Sequence, residues 1–157
     1  MNAAELATSL ETTSKITAIV HLFKSDFPDA RVDLKPWCND ADTRRLVDPD
    51  SLDIGFHLPG WSPRYECRSI LVQTRLTRPP GVEVDDQSSL EEDDAGQRLL
   101  GLEIIGFSYE GEEWRLSTIA NWRFLGRKQP VPEIQERFKH FCRQVFALYS
   151  SPQENAA

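Results

Sequence analysis

The chain of 157 residues contains no run of about 18 apolar residues, the length that would span a bilayer. Its opening stretch, MNAAELATSLETTSK, has neither a basic segment nor a continuous apolar one, so it is not read as a secretion signal. Cysteine is scarce and unpatterned: Cys38, Cys67 and Cys142 make an odd number with no close spacing. A disulfide framework needs pairs, and a zinc site usually shows a CxxC-like knuckle, so free thiols in a reducing compartment are expected. The expected location is the cytoplasm. No G-x-x-x-x-G-K, G-x-G-x-x-G or G-x-S-x-G occurs, which removes the common phosphate loops and the nucleophile elbow. No spaced D-x-D-x-D-G loop occurs either, so calcium is not expected. No cofactor and no metal are expected.

What is present is an aromatic-rich chain of one-domain size, with Trp, Phe and Tyr at 10% and apolar residues at 39%. That composition supports a packed core and argues against disorder. The net charge of −7 has a local origin. Glu83, Asp85, Asp86, Glu91, Glu92, Asp93 and Asp94 crowd one stretch; the 18 acids left without them equal the 18 Lys and Arg. The folded part is formally neutral, which gives no electrostatic case for nucleic acid. No membrane partner is expected; another protein is.

Apolar spacing of three and four over residues 5–26 predicts a helix, firm from about Ser14 because Thr12, Thr13 and Ser14 form helix poorly. Residues 30–37 alternate as a half-buried strand, with Val32 and Leu34 on one face and Arg31, Asp33 and Lys35 on the other. Residues 38–50 are turn-rich. Residues 51–58 alternate again, PGWSP (59–63) is turn chemistry, and 64–78 reads as the second strand of an antiparallel hairpin. On that strand Ile70, Val72 and Leu76 share one face, with Tyr65, Cys67, Ser69, Leu71, Gln73 and Arg75 opposite. Residues 79–97 read as an acidic, flexible loop. Residues 98–126 hold two further strands around a Glu110-Gly111 turn. Residues 131–149 form the clearest helix, with Pro132 in its first turn, and 150–157 read as a frayed tail. The expectation is a single α+β domain over 1–157: an antiparallel meander sheet of about five strands, with the N- and C-terminal helices packed on one face.

No catalytic constellation stands out, so an enzyme is not favoured. His21 and His140 lie beside helix stripes without a second ligand and are read as structural or surface groups. Cys142 reads as a small core residue. His57, with Asp53 four residues earlier, could act as a general base, though an outward polar strand position explains it as well. A PD…(D/E)xK pattern over Asp50, Asp53 and Glu66 would suggest a Mg²⁺ nuclease, but it ends on Arg68, which cannot shed a proton. A distributed signal is stronger. Arg31, Lys35, Trp37, Arg75, Arg115 and Arg123 share the polar side of their strands, where they would give an open face rich in Arg and Trp. Arg stems covering apolar surface would produce the same pattern.

The run DPDSLDIGFHLPGWSPRYECRSILVQ, with WRLSTIANWRFLG and FKHFCRQVF behind it, resembles a group of small conserved cyanobacterial proteins of unknown function. The resemblance implies a cytoplasmic bacterial protein and assigns no functional residue. The leading expectation is a non-enzymatic protein-binding or adaptor module using the Arg/Trp face and the loop with Trp61. The alternative is a small-anion-binding domain or small enzyme centred on the 53–68 hairpin, around Asp53, His57 and Arg68.

Overall fold

The computed structural model describes residues 1–37, 50–77 and 98–154. The expected acidic loop and Cys38 lie outside the described residues. A short helical turn, α1 (Ala3–Leu6), precedes helix α2 (Leu10–Asp26). Six strands follow: β1 (Arg31–Asp33), β2 (Ser51–Ser62), β3 (Cys67–Thr77), β4 (Arg98–Ser108), β5 (Gly111–Ser117) and β6 (Arg123–Gly126). Helix α3 (Pro132–Glu154) ends the described chain. The strands form one antiparallel sheet in sequence order, β1 to β6. This is the expected α+β meander with terminal helices, with six strands in place of about five. Among the described residues no helix is long and apolar enough to cross a membrane.

The sixth strand comes from a reversal that lacks glycine and proline. Asn121 and Trp122 both take positive φ, 65° and 57°. Asn tolerates that region; Trp does so rarely. The turn is held by Ser117, whose carbonyl accepts from the Trp122 N–H at 3.0 Å and whose hydroxyl accepts from the Ala120 N–H at 3.3 Å.

The helix bounds differ from those expected: the helix read over residues 5–26 divides into the short α1 and the long α2. Ser9 caps α2 through its hydroxyl, which accepts from the Thr12 N–H at 3.1 Å, so the helix is firm four residues before Ser14. At the other end α3 runs through Pro152 to Glu154. Residue 152 would normally donate its N–H to the Leu148 carbonyl, and proline has none. The Lys15 ammonium donates there instead, at 2.8 Å, and lies over the Tyr149 ring.

One face of the sheet carries the core. Leu52, Ile54, Phe56, Ile70, Val72, Leu102, Ile104, Trp114, Leu116 and Phe124 alternate onto it and meet Ile16, Ile19 and Phe23 of α2 and Ile134, Phe138, Phe141 and Val145 of α3. Rings dominate the contact. Phe23 stacks on Phe56 with centroids 3.8 Å apart, and Phe138 touches Phe27 at 4.7 Å and Trp114 at 5.2 Å. Trp114 fits because its cross-strand neighbour is Gly106: a Cβ there would lie 2.3 Å from the indole.

Two substitutions check this packing. Gly106→Ala should destabilise the fold by about 1–3 kcal/mol, the usual cost of overpacking, read by chemical denaturation. Thr74 is buried on the core face opposite Leu52 and Leu102, and its hydroxyl has no hydrogen-bond partner among the described residues. Thr74→Val should therefore raise stability by about 1 kcal/mol in the same assay.

Candidate functional site

The hairpin expected to turn at 59–63 does so later. Strand β2 continues through Ser62, and the chain reverses over residues 63–66, with Glu66 at φ 53° and its N–H bonded to the Ser62 carbonyl at 2.7 Å. Pro59 cannot donate to a ladder, and the β2–β3 register shifts between His57 and Ser62. Two consequences follow. Tyr65 and Cys67, expected on the polar side, turn into the core instead. His57 comes to lie directly across from Ser69.

The expected strand over 30–37 is also cut short. The Asp33 carboxylate accepts the Lys35 N–H through Oδ1 at 2.9 Å, a side-chain turn that ends β1 after three residues. Lys35 and Trp37 are therefore not on a strand. The other Asp33 oxygen, Oδ2, lies 3.1 Å from His57 Nε2, while His57 Nδ1 lies 2.9 Å from Ser69 Oγ. A carboxylate only accepts, so Nε2 carries the hydrogen; in the neutral ring Nδ1 is then free to accept the Ser69 hydroxyl. Asp33, His57 and Ser69 thus form one hydrogen-bonded string across three neighbouring strands.

The string opens on a cavity of about 510 Å³. Arg31, paired directly with His57 on β1, lines it from one side, and Arg68 from the other. The Arg68 guanidinium lies 3.7 Å from the centre of the Tyr109 ring, and neither arginine pairs with a carboxylate among the described residues. Phe107 and Tyr109 supply apolar wall, and Asp29 is the one acid lining it among the described residues. Beyond the Arg68–Tyr109 pair a second hollow of about 390 Å³ runs to Trp61, over whose ring Lys128 sits at 4.5 Å.

The remaining candidates are engaged elsewhere. Asp53 does not partner His57. Four residues along a strand is about 13 Å, too far for contact. Asp53 is instead buried among the Met1 ammonium at 2.7 Å, the Ser51 hydroxyl at 2.8 Å and the Trp37 indole N–H. Trp37 is further fixed by Asn2, whose amide both donates to and accepts from its backbone. On the polar sheet face Glu103 accepts from Arg75 at 2.9 Å and from Arg115 at 3.2 Å, and Arg115 also reaches Glu112 at 2.9 Å. The Glu112 hydrogen bond raises the Arg115 pKa further, with burial opposing it. That face is a compensated lattice of charge rather than a row of free cations; of Arg75, Arg115 and Arg123, Arg123 makes no ion pair among the described residues and stands exposed on β6.

The nuclease pattern does not assemble. Asp50 and Asp53 sit at one end of the hairpin and Glu66 at the other, and no group of three or more His, Cys, Asp or Glu able to hold a metal occurs among the described residues. Periodicity does not mark Asp33 and Ser69 as candidates, because their place beside His57 depends on register. Had the chain reversed at 59–63, His57 would have faced the region of Tyr65 rather than Ser69.

The model of one protein family, described as a domain of unknown function, matches residues 4–151. No curated protein and no solved structure matches the chain.

The two described cysteines are not nucleophiles. Burial pushes the Cys67 and Cys142 thiols up from 9.0 to about 12. That leaves roughly a thousandth of the ordinary thiolate at a given pH below 9. Peptide mapping after iodoacetamide treatment of the folded protein at pH 8 should find both unlabelled, and both labelled once the protein is denatured.

Proposed function

The chain belongs to this family of unknown function, and we propose that it binds a small anionic ligand in the cavity between Arg31 and Arg68. The observation that carries this reading is the contrast among arginines. Arg64, Arg75, Arg115, Arg127 and Arg137 all reach carboxylates. Among the described residues Arg31, Arg68, Arg98, Arg123 and Arg143 make no such pair, and of these Arg31 and Arg68 border the same cavity with His57. Guanidinium presents a planar fork of donors suited to carboxylate or phosphate. Arg68 is held in place by the Tyr109 face, so less freedom is lost when it engages a ligand. The walls add apolar surface beside a few polar groups, the usual make-up of a small-molecule site.

A protein-binding role for the sheet face draws less support, since Arg75 and Arg115 are already neutralised within the sheet. Placement in the cytoplasm, and kinship with cyanobacterial proteins, are likewise proposals, supported by three cysteines without a pairing pattern in the sequence and by the resemblance above.

Thermal unfolding against phosphate, pyrophosphate and citrate tests the reading, with chloride matched for ionic strength. A ligand at about 100 times its dissociation constant adds about 2.7 kcal/mol. At least one of these anions should raise the melting temperature of the wild type, and an Arg31→Gln, Arg68→Gln double variant should lose that shift. Equal curves for all anions and chloride would refute anion binding here.

A further inference from the structure

We propose that Ser69 is a nucleophile and that the cavity hydrolyses small carboxylic esters bearing a negatively charged group. The preference for a charged substrate rests on the anion-binding reading; the nucleophile itself rests on the Asp33–His57–Ser69 string.

Nucleophilic serine chemistry needs a hydroxyl, a base within hydrogen-bond reach, and a third group that fixes the base. All three are present, at 2.9 Å and 3.1 Å. The order is constrained at each link. Asp33 is itself anchored by the Lys35 N–H, so its Oδ2 is aimed. Because that oxygen can only accept, the imidazole presents its unprotonated nitrogen to Ser69 and not the reverse. His57 and Ser69 are cross-strand partners, and each is only half-buried, so the string is rigid at its base yet reaches the cavity. Histidine can be held in a sheet by one hydrogen bond. Here both nitrogens are used, and the second ends on a hydroxyl that makes no other side-chain hydrogen bond among the described residues.

The steps balance without an outside oxidant or metal. Ser69 Oγ attacks the carbonyl carbon as its proton passes to His57 Nδ1. The carbonyl electron pair moves onto oxygen, where Arg31 or Arg68 N–H groups lining the cavity can stabilise it. Collapse breaks the bond to the leaving alcohol, which takes the proton from His57. Water then attacks the Ser69 ester, giving its proton to His57, and the acid departs as the proton returns to Ser69. The net reaction is ester plus water to acid plus alcohol. In these terms Ser69 and His57 are catalytic residues and Asp33 is a positioning residue.

The test uses the full chain with p-nitrophenyl hemisuccinate and p-nitrophenyl butyrate, together with mass spectrometry after exposure to a fluorophosphonate. The expected result is an adduct on Ser69, with turnover that falls about a thousandfold in kcat/KM in Ser69→Ala and in His57→Gln. Asp33→Asn should lower kcat at least tenfold with KM and melting temperature unchanged, which a purely structural role would not produce. Arg31→Gln, Arg68→Gln should raise KM for the hemisuccinate and, by removing the donors that meet the oxyanion, lower kcat for both esters. Equal turnover in wild type and Ser69→Ala, or no adduct and no turnover, overturns the nucleophile. If phosphate still protects the wild type in that case, the anion site stands without it. Turnover that depends on Ser69 but is indifferent to substrate charge keeps the nucleophile and removes the anion preference.

Discussion

The structure depends on a layer of rings between two helices and a sheet. Phe23 and Phe27 come from the end of α2, Phe138 and Phe141 from the middle of α3, Phe56 and Trp114 from separate strands. Each ring buries a large apolar area, and tilted and stacked pairs add to it. These contacts join segments more than a hundred residues apart. They also fix which sheet face is covered, because the period of a strand is two and its side chains have nowhere else to go. Gly106 is part of the same constraint: the indole of Trp114 occupies the space its side chain would fill.

Committing both long helices to one face leaves the other to satisfy itself. Its centre does so with two devices. Leu71 and Ile105 are buried there outside the main core, and Glu103 sits among Arg75 and Arg115 as a shared acceptor. Bridging one half-buried carboxylate between two cations keeps the long stems flat on the sheet and the charge neutral. Toward the β2–β3 turn the compensation stops. Arg31 and Arg68 line one cavity, with Asp29 the one acid lining it among the described residues. Exposed cation without a partner costs little in water, so its presence needs no explanation by stability; its convergence with His57 and Ser69 is what marks the place.

Much of the fold was legible because it is written in periodicity. The core stripe of α3, the face shared by Ile70, Val72 and Leu76, and the meander order all follow from spacing and from strands that succeed one another without helices. Three things were not legible for identifiable reasons. The β5–β6 turn uses Asn121 and Trp122 in place of glycine or proline, so composition does not announce it. The Ser9 cap acts through a hydroxyl, and Ser is equally common in turns. The hairpin register was set by Pro63–Glu66 and not by the more conspicuous Pro59-Gly60. A proline can mark a turn or an interruption in a ladder, and only the neighbouring strand tells which.

That last difference decides the site. Asp53 and His57 are close in sequence, but a strand carries them apart, and each takes a partner from elsewhere: Asp53 from the N-terminal residues and Trp37, His57 from β1 and β3. Asp33 is drawn in from a strand of three residues, ended by its own side chain. Ser69 is brought opposite His57 by a register shift that also turns Cys67 inward. The same irregularity therefore places a thiol in the core, where burial silences it, and a hydroxyl in the cavity, where a base is waiting. A regular hairpin turning at Pro59-Gly60 would have kept the alternation and lost the string, so the break in the ladder is what joins the fold to any chemistry done on it.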